Sequence, residues 1–178
     1  AFSGLAMWSH KLIWMPMVFG GGESTRASHP WAGTICAATL ATMFLRWAKH
    51  MGLTADDRKW LAMSRQYAMH QEAGLPGPGR FNGGQKMLFW LQSVSALLLF
   101  TSGAVLWFPE AAPRGLRLAA VLVHPAAAIA SIGGIIVHVY MGTAVVPGAL
   151  NAMIRGTVTE RWAAAHHPKW QIKETSKH

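Results

Sequence analysis

The chain has a single cysteine, Cys36. One thiol excludes a disulfide framework, a CxxCH attachment for covalent haem and a thiolate set for an iron–sulfur cluster. Any haem would have to be held non-covalently. Cys36 stands in an apolar run, where a free thiol is expected as a small packing residue. Charge is also scarce. Only 13% of the 178 residues are charged while 52% are hydrophobic, which is too apolar for a soluble chain of this length. The net charge of +9 does not read as nucleic-acid binding, because Lys and Arg collect in two segments flanking the apolar runs, a topology signal. No signal-peptide pattern is visible.

The runs themselves define three spans, about 29–47, 84–108 and 116–146, each with the roughly 20 residues needed to cross the hydrocarbon core. Ser28 before His29-Pro30 is expected to cap the first, with proline in its opening turn. Phe108-Pro109-Glu110 closes the second, and Ala112 to Gly115 turns into the third. Residues 1–8 form an apolar stub too short to cross, which reads as the last turns of a helix beginning upstream of Ala1. With this stub the expected fold is an all-α integral membrane protein, a four-helix transmembrane bundle whose first helix is truncated. Residues 1–150 would make the bundle and 151–178 a cytoplasmic tail. The connection 48–83 contains Thr54–Ala73, expected as a helix on the membrane surface with Trp60, Leu61, Met63 and Tyr67 on its apolar side.

Lys and Arg set the orientation. Arg46, Lys49, Arg58, Lys59, Arg65, Arg80 and Lys86 accompany the connection, and Arg155, Arg161, Lys169, Lys173 and Lys177 the tail. Lys11, Arg26, Arg114 and Arg117 are left for the other side. The positive-inside rule makes connection and tail cytoplasmic, in a multi-pass protein with a cytoplasmic C-terminus. Trp8, Trp14, Trp31, Trp47, Trp90 and Trp107 fall near span ends, as an aromatic belt requires.

Chemistry concentrates in the third span, where His124 and His138 stand fourteen residues apart. On one helix they share a face and lie about 21 Å apart along the axis. Ionisable or metal-binding side chains at membrane depth are rare and usually functional. His29 matches the depth of His124 on the outer side, so the two suit the axial positions of one haem iron. His138 lies toward the cytoplasm and suits a second haem, with its partner expected upstream of Ala1. Gly33, Gly133, Gly134, Gly103 and Gly4 are candidates for backbone close to a porphyrin, and equally for simple helix packing. Pro125 should kink the third span beside His124. On the cytoplasmic side, Asn82, Gly84 and Gln85 in RFNGGQKMLFW could serve a quinone head group. The same run also reads as an ordinary capped helix start, and chemistry alone does not separate the two. His50, His70, His166, His167 and His178 have polar surroundings and are expected at the surface.

The segments RFNGGQKMLFW, LVHPAAA, IIVHVYM and AMIRGTVTERWAAAHHPKW resemble the cytochrome b (gamma) subunit of membrane-bound respiratory formate dehydrogenases. The resemblance implies a four-helix subunit of the bacterial inner membrane with two b haems and a cytoplasmic-side site for menaquinone or ubiquinone. By position it implies His29 and His124 as ligands of the outer haem iron. His138 would be a ligand of the inner one and a neighbour of the quinone, with Asn82, Gly84 and Gln85 in the quinone pocket. It further implies an iron–sulfur (beta) subunit as electron donor and a catalytic (alpha) subunit that oxidises formate, with a higher oligomer of the complex left open. None of these residues would be catalytic in itself; the chain would carry electrons in the respiratory chain. The related cytochrome b subunit of a membrane-bound nickel–iron hydrogenase remains an alternative, as does a haem-free membrane anchor.

Overall fold

The computed structural model describes residues 2–8, 10–12, 14–69, 71, 74 and 76–170. His70, His178, Lys173 and Lys177 lie outside these residues. Among the described residues every regular element is helical. In chain order the α-helices are α1 (Phe2–Trp8), α2 (Met15–Val18), α3 (Gly22–Trp47), α4 (Ala55–Ala62), α5 (Ser64–Ala68), α6 (Gly83–Trp107), α7 (Arg114–Tyr140), α8 (Ala149–Arg155) and α9 (Glu160–His166). After α7 a π-helical turn, Met141–Val145, follows directly.

Among the described residues two helical stretches are long and apolar enough to cross a membrane, Gly83–Trp107 and Arg114–Val145. Both match the expected spans to within about two residues. Their packing is inverted relative to a soluble core. Ser95 and Ala120 are buried at 3% exposure, while Leu97 and Leu122 stand out at 63% and 73%. Lipid explains the inversion: leucine gains nothing by hiding from hydrocarbon, and small residues let helices approach closely. Both helices thus have the length and the apolar surface of membrane-crossing segments.

The first expected span needs correction at its start. α3 begins at Gly22, with Pro30 inside it and not in its first turn. Ser28 does not cap it; its hydroxyl donates to the Thr25 carbonyl within the helix. A proline at an interior position removes one intrahelical bond and does not forbid the turns before it. Those turns carry Glu23, Ser24, Thr25 and Arg26, so α3 is less apolar than α6 or α7. Pro125 likewise lies inside an uninterrupted α7. Cys36 is exposed on α3, not packed as expected.

The chain divides into two compact units, residues 1–47 with 91–134 and residues 48–90 with 135–178. In the first, α1 packs on α3, and Trp31 meets Trp107 edge-on at 5.4 Å. Gln92 and Ser131 bind reciprocally between α6 and α7: the amide donates to the Ser131 carbonyl at 2.9 Å and the Ser131 hydroxyl to the Gln92 carbonyl oxygen at 2.6 Å.

In the second unit the expected surface helix is shorter and broken. Thr54 and Asp57 form a capping box that starts α4, and the helix stops at Met63 before α5 resumes. Trp60 is turned inward onto the start of α6: a Cβ on Gly84 would stand 3.0 Å from its ring, and one on Gly83 3.2 Å. Lys86 is buried, donating to Asp57 Oδ2 at 2.6 Å and to the Gly52 carbonyl at 3.0 Å. Trp90 Nε1 donates to the Met51 carbonyl at 2.9 Å. Burial works against ionisation of Asp57, but the Lys86 ammonium and the Thr54 donors outweigh it and hold the carboxyl below its usual range.

Candidate functional site

α3 and α7 bring His29 and His124 together. On α7, Ala120, His124 and Ala127 recur at helical spacing, and both alanines are buried, so the imidazole emerges from a smooth stripe facing its neighbours. The two ring centroids lie 6.2 Å apart with planes at 76°. In a bis-imidazole complex, two metal–nitrogen bonds of about 2 Å and two ring radii of about 1.1 Å place the centroids roughly 6 Å apart. The spacing fits an iron between the rings.

Both Nδ1 atoms are already engaged. Ser3 Oγ lies 2.9 Å from His29 Nδ1, and Ser102 Oγ lies 2.9 Å from His124 Nδ1. That leaves Nε2 of each ring for coordination. Backbone approaches both rings closely: a Cβ on Gly4 would stand 3.3 Å from His29 Cε1, and one on Gly103 3.2 Å from His124 Cε1. Of the five candidate glycines, these two face imidazoles, while Gly33 and Gly133 face open space. Among the described residues, Arg117 Nε is a buried side-chain donor without a hydrogen-bond partner. It stands seven residues before His124 on α7, nearly two turns away on the same face. The donor set therefore fits haem b: two imidazoles for iron, glycine beside each ring and an unpaired guanidinium nitrogen for a carboxylate.

The candidates expected on the cytoplasmic side belong to the second unit. His138 is exposed near the end of α7, three residues before the π-helical turn. Asn82 and Gln85 make a reciprocal helix cap: each backbone N–H donates to the other's side-chain oxygen at 2.9 Å. The cap uses only the oxygens, so neither side-chain NH₂ group takes part in it. Gly84 makes room for Trp60. A neighbouring cavity of about 600 Å³ is lined by Thr54, Asp57, Trp60, Arg80, Phe81 and Lys86 among others, without Asn82, Gly84 or Gln85.

His167 is a correction to the expectation of a surface residue. It is buried, and its Nδ1 donates to the Gly79 carbonyl at 2.8 Å. His166 is partly covered by stacking on Trp162 at 4.4 Å, and His50 is exposed. Among the described residues no group of three His, Cys, Asp or Glu is placed to hold a metal ion.

Residues 1–156 match the family model described as prokaryotic cytochrome b561. The chain belongs to this family. It is similar along nearly its whole length to other cytochrome b proteins. The formate dehydrogenase cytochrome b556(fdo) subunit of Escherichia coli K12 is 35% identical over 99% of this chain and 84% of its own length. The nitrate-inducible formate dehydrogenase cytochrome b556(Fdn) subunit of the same strain is 33% identical over 96% of this chain and 79% of its own. The formate dehydrogenase cytochrome b556 subunit of Haemophilus influenzae is 30% identical over 97% and 74%. Membership of the cytochrome b561 family implies haem b, in agreement with the donor set.

Sequence reasoning missed Ser3, Ser102 and Arg117 at this cytochrome site. One signal was available: the dipeptide Ser-Gly occurs in the chain only at 3–4 and 102–103, and each copy meets one of the paired histidines. Nothing in the sequence marked Arg117, which carries the same topology signal as other basic residues at span ends.

Proposed function

We propose that the chain is the membrane cytochrome b subunit of a formate dehydrogenase complex, passing electrons from an iron–sulfur subunit to quinone. The observation that carries it is the His29–His124 pair, 6.2 Å between centroids, with both Nδ1 atoms bonded to serine. His29 and His124 would hold the iron of the outer haem through Nε2, and Arg117 would pair with one of its carboxylates. Haem b bound there supplies a one-electron carrier between donor and acceptor. His138 would ligate a second, inner haem and border the quinone. The NH₂ groups of Asn82 and Gln85, unused in the helix cap, would donate to quinone carbonyls, and Gly84 would keep that corner of the site narrow.

Formate oxidation would fall to a separate catalytic subunit, in keeping with relatives that are named as the cytochrome subunit of formate dehydrogenase. Protons for quinone reduction would come from the cytoplasm, the side assigned to the Lys- and Arg-rich connection. The complex would sit in the bacterial inner membrane with the C-terminus cytoplasmic. Electrons moving inward oppose the membrane potential by about 2.3 kcal/mol per charge per 100 mV, so the reaction would help build the proton-motive force.

The test is a reduced-minus-oxidised spectrum of the purified complex, with formate and separately with hydrogen as reductant. A b-type band that formate raises and hydrogen does not is expected. His124→Ala should abolish the outer-haem part of that band; an unchanged spectrum would refute the ligand assignment.

A further inference from the structure

The two Ser-Gly dipeptides do the same thing to two different imidazoles. Ser3-Gly4 lies on α1 against His29 of α3; Ser102-Gly103 lies on α6 against His124 of α7. In each, the serine oxygen meets Nδ1 at 2.9 Å. The glycine beside it leaves a gap that Cε1 of the same ring fills, 3.3 Å from the position of a Gly4 Cβ and 3.2 Å from that of Gly103. One contact fixes where Nδ1 points and the other fixes how far the ring can swing.

At His124 the bonding also selects the tautomer. Ser102 is buried, and its hydroxyl donates its one proton to the Leu98 carbonyl in the turn above. The oxygen is left as an acceptor for His124, so Nδ1 must carry the hydrogen. Nε2 then keeps its lone pair, the form an imidazole needs to bind iron. A ligand imidazole that donates Nδ1–H becomes a more basic ligand. More basic ligation favours the ferric state and lowers the potential.

We propose that Ser102-Gly103 and Ser3-Gly4 are paired positioning elements that set the ring orientation of both ligands, and at His124 the tautomer, and thereby the potential of the outer haem iron. The proposal rests on His29 and His124 as ligands. Neither serine touches the iron; each acts through a histidine.

The experiment compares the complete complex carrying wild-type chain, Ser102→Ala or Ser102→Thr. Haem b per complex is measured by pyridine haemochrome, the outer-haem midpoint by redox titration, and the ferric low-spin signal by electron paramagnetic resonance, which reports the mutual orientation of axial rings. Ser102→Ala is expected to raise the midpoint and move the ferric signal, or to release the outer haem. Ser102→Thr, which keeps the hydroxyl, is expected to behave as wild type. A Ser102→Ala complex with unaltered midpoint and signal overturns the proposal, and so does an equal change in the Ala and Thr variants, which would mark a packing role alone. The ligand reading fails by a different result: outer-haem content that survives His124→Ala.

Discussion

A methyl group on Gly103 would stand 3.2 Å from His124 Cε1, closer than the ring can accept without moving. Gly33 has open space in the same direction. Overpacking of this kind costs about 1–3 kcal/mol, whereas alanine for glycine inside an exposed helix gains about 1 kcal/mol. Gly103→Ala should therefore displace the imidazole and lower haem b retention in the purified complex. Gly33→Ala, whose Cβ would meet no protein atom, should leave both imidazoles in place and the melting temperature equal or slightly higher. The reduced-minus-oxidised spectrum and a thermal melt read both, and full haem retention in the Gly103→Ala complex would count against the Gly103 contact. In the sequence these glycines look alike, each near a histidine in an apolar run. What separates them is the neighbouring helix, which periodicity within one helix cannot show. The meeting of His29 and His124 was legible, because the two rings stand at matching depths in apolar spans.

Helix ends follow the same division. The bounds of α6 and α7 were readable from Pro109, from the turn at Ala112 to Gly115 and from hydropathy. The start of α3 was not, because Pro30 resembles an N-terminal residue when read locally. α9 and the residues after it show the cost of missing a long-range contact. His167 sits in a polar stretch, yet it is covered by a loop 88 residues earlier: its Nδ1 meets the Gly79 carbonyl, and Pro168 packs on Gly77. Lys169 pairs with Asp56 beside it, and that ammonium holds the Asp56 carboxyl below its usual range. Burial holds the His167 imidazole below its ordinary value, with His166 adding to the effect and the Gly79 carbonyl opposing it. The unfolded segment then binds a proton more readily than the docked one. Docking should be fully stabilised above about pH 6.5, the unperturbed value, and should weaken as pH falls below it. Hydrogen exchange of residues 160–170, corrected for intrinsic rate, should lose protection between about pH 7 and pH 5. Constant protection across that window would show that His167 does not couple docking to pH.

At the scale of the whole chain, the membrane orientation rests on charge. α6 crosses the hydrocarbon, so its two ends must emerge on opposite sides. Arg80 and Lys86 accompany its first end, together with Lys49, Arg58, Lys59 and Arg65 in the connection before it. Beyond its second end the turn into α7 offers Arg114 and Arg117, and Arg117 is already partly buried on the helix face that carries His124. The positive-inside rule weighs Lys and Arg near span ends, which would put the connection in the cytoplasm and Glu110 outside. The exposed Cys36 would confuse thiol labelling, so Cys36→Ser provides the background. In it, Glu110→Cys should react with a membrane-impermeant maleimide on intact spheroplasts, and Lys49→Cys should react only in inverted vesicles. Both positions are exposed on the protein, so a failure to label reports the membrane and not burial. The reverse pattern would turn the protein over: His29 and His124 would face the cytoplasm, and the iron–sulfur donor would have to dock from inside.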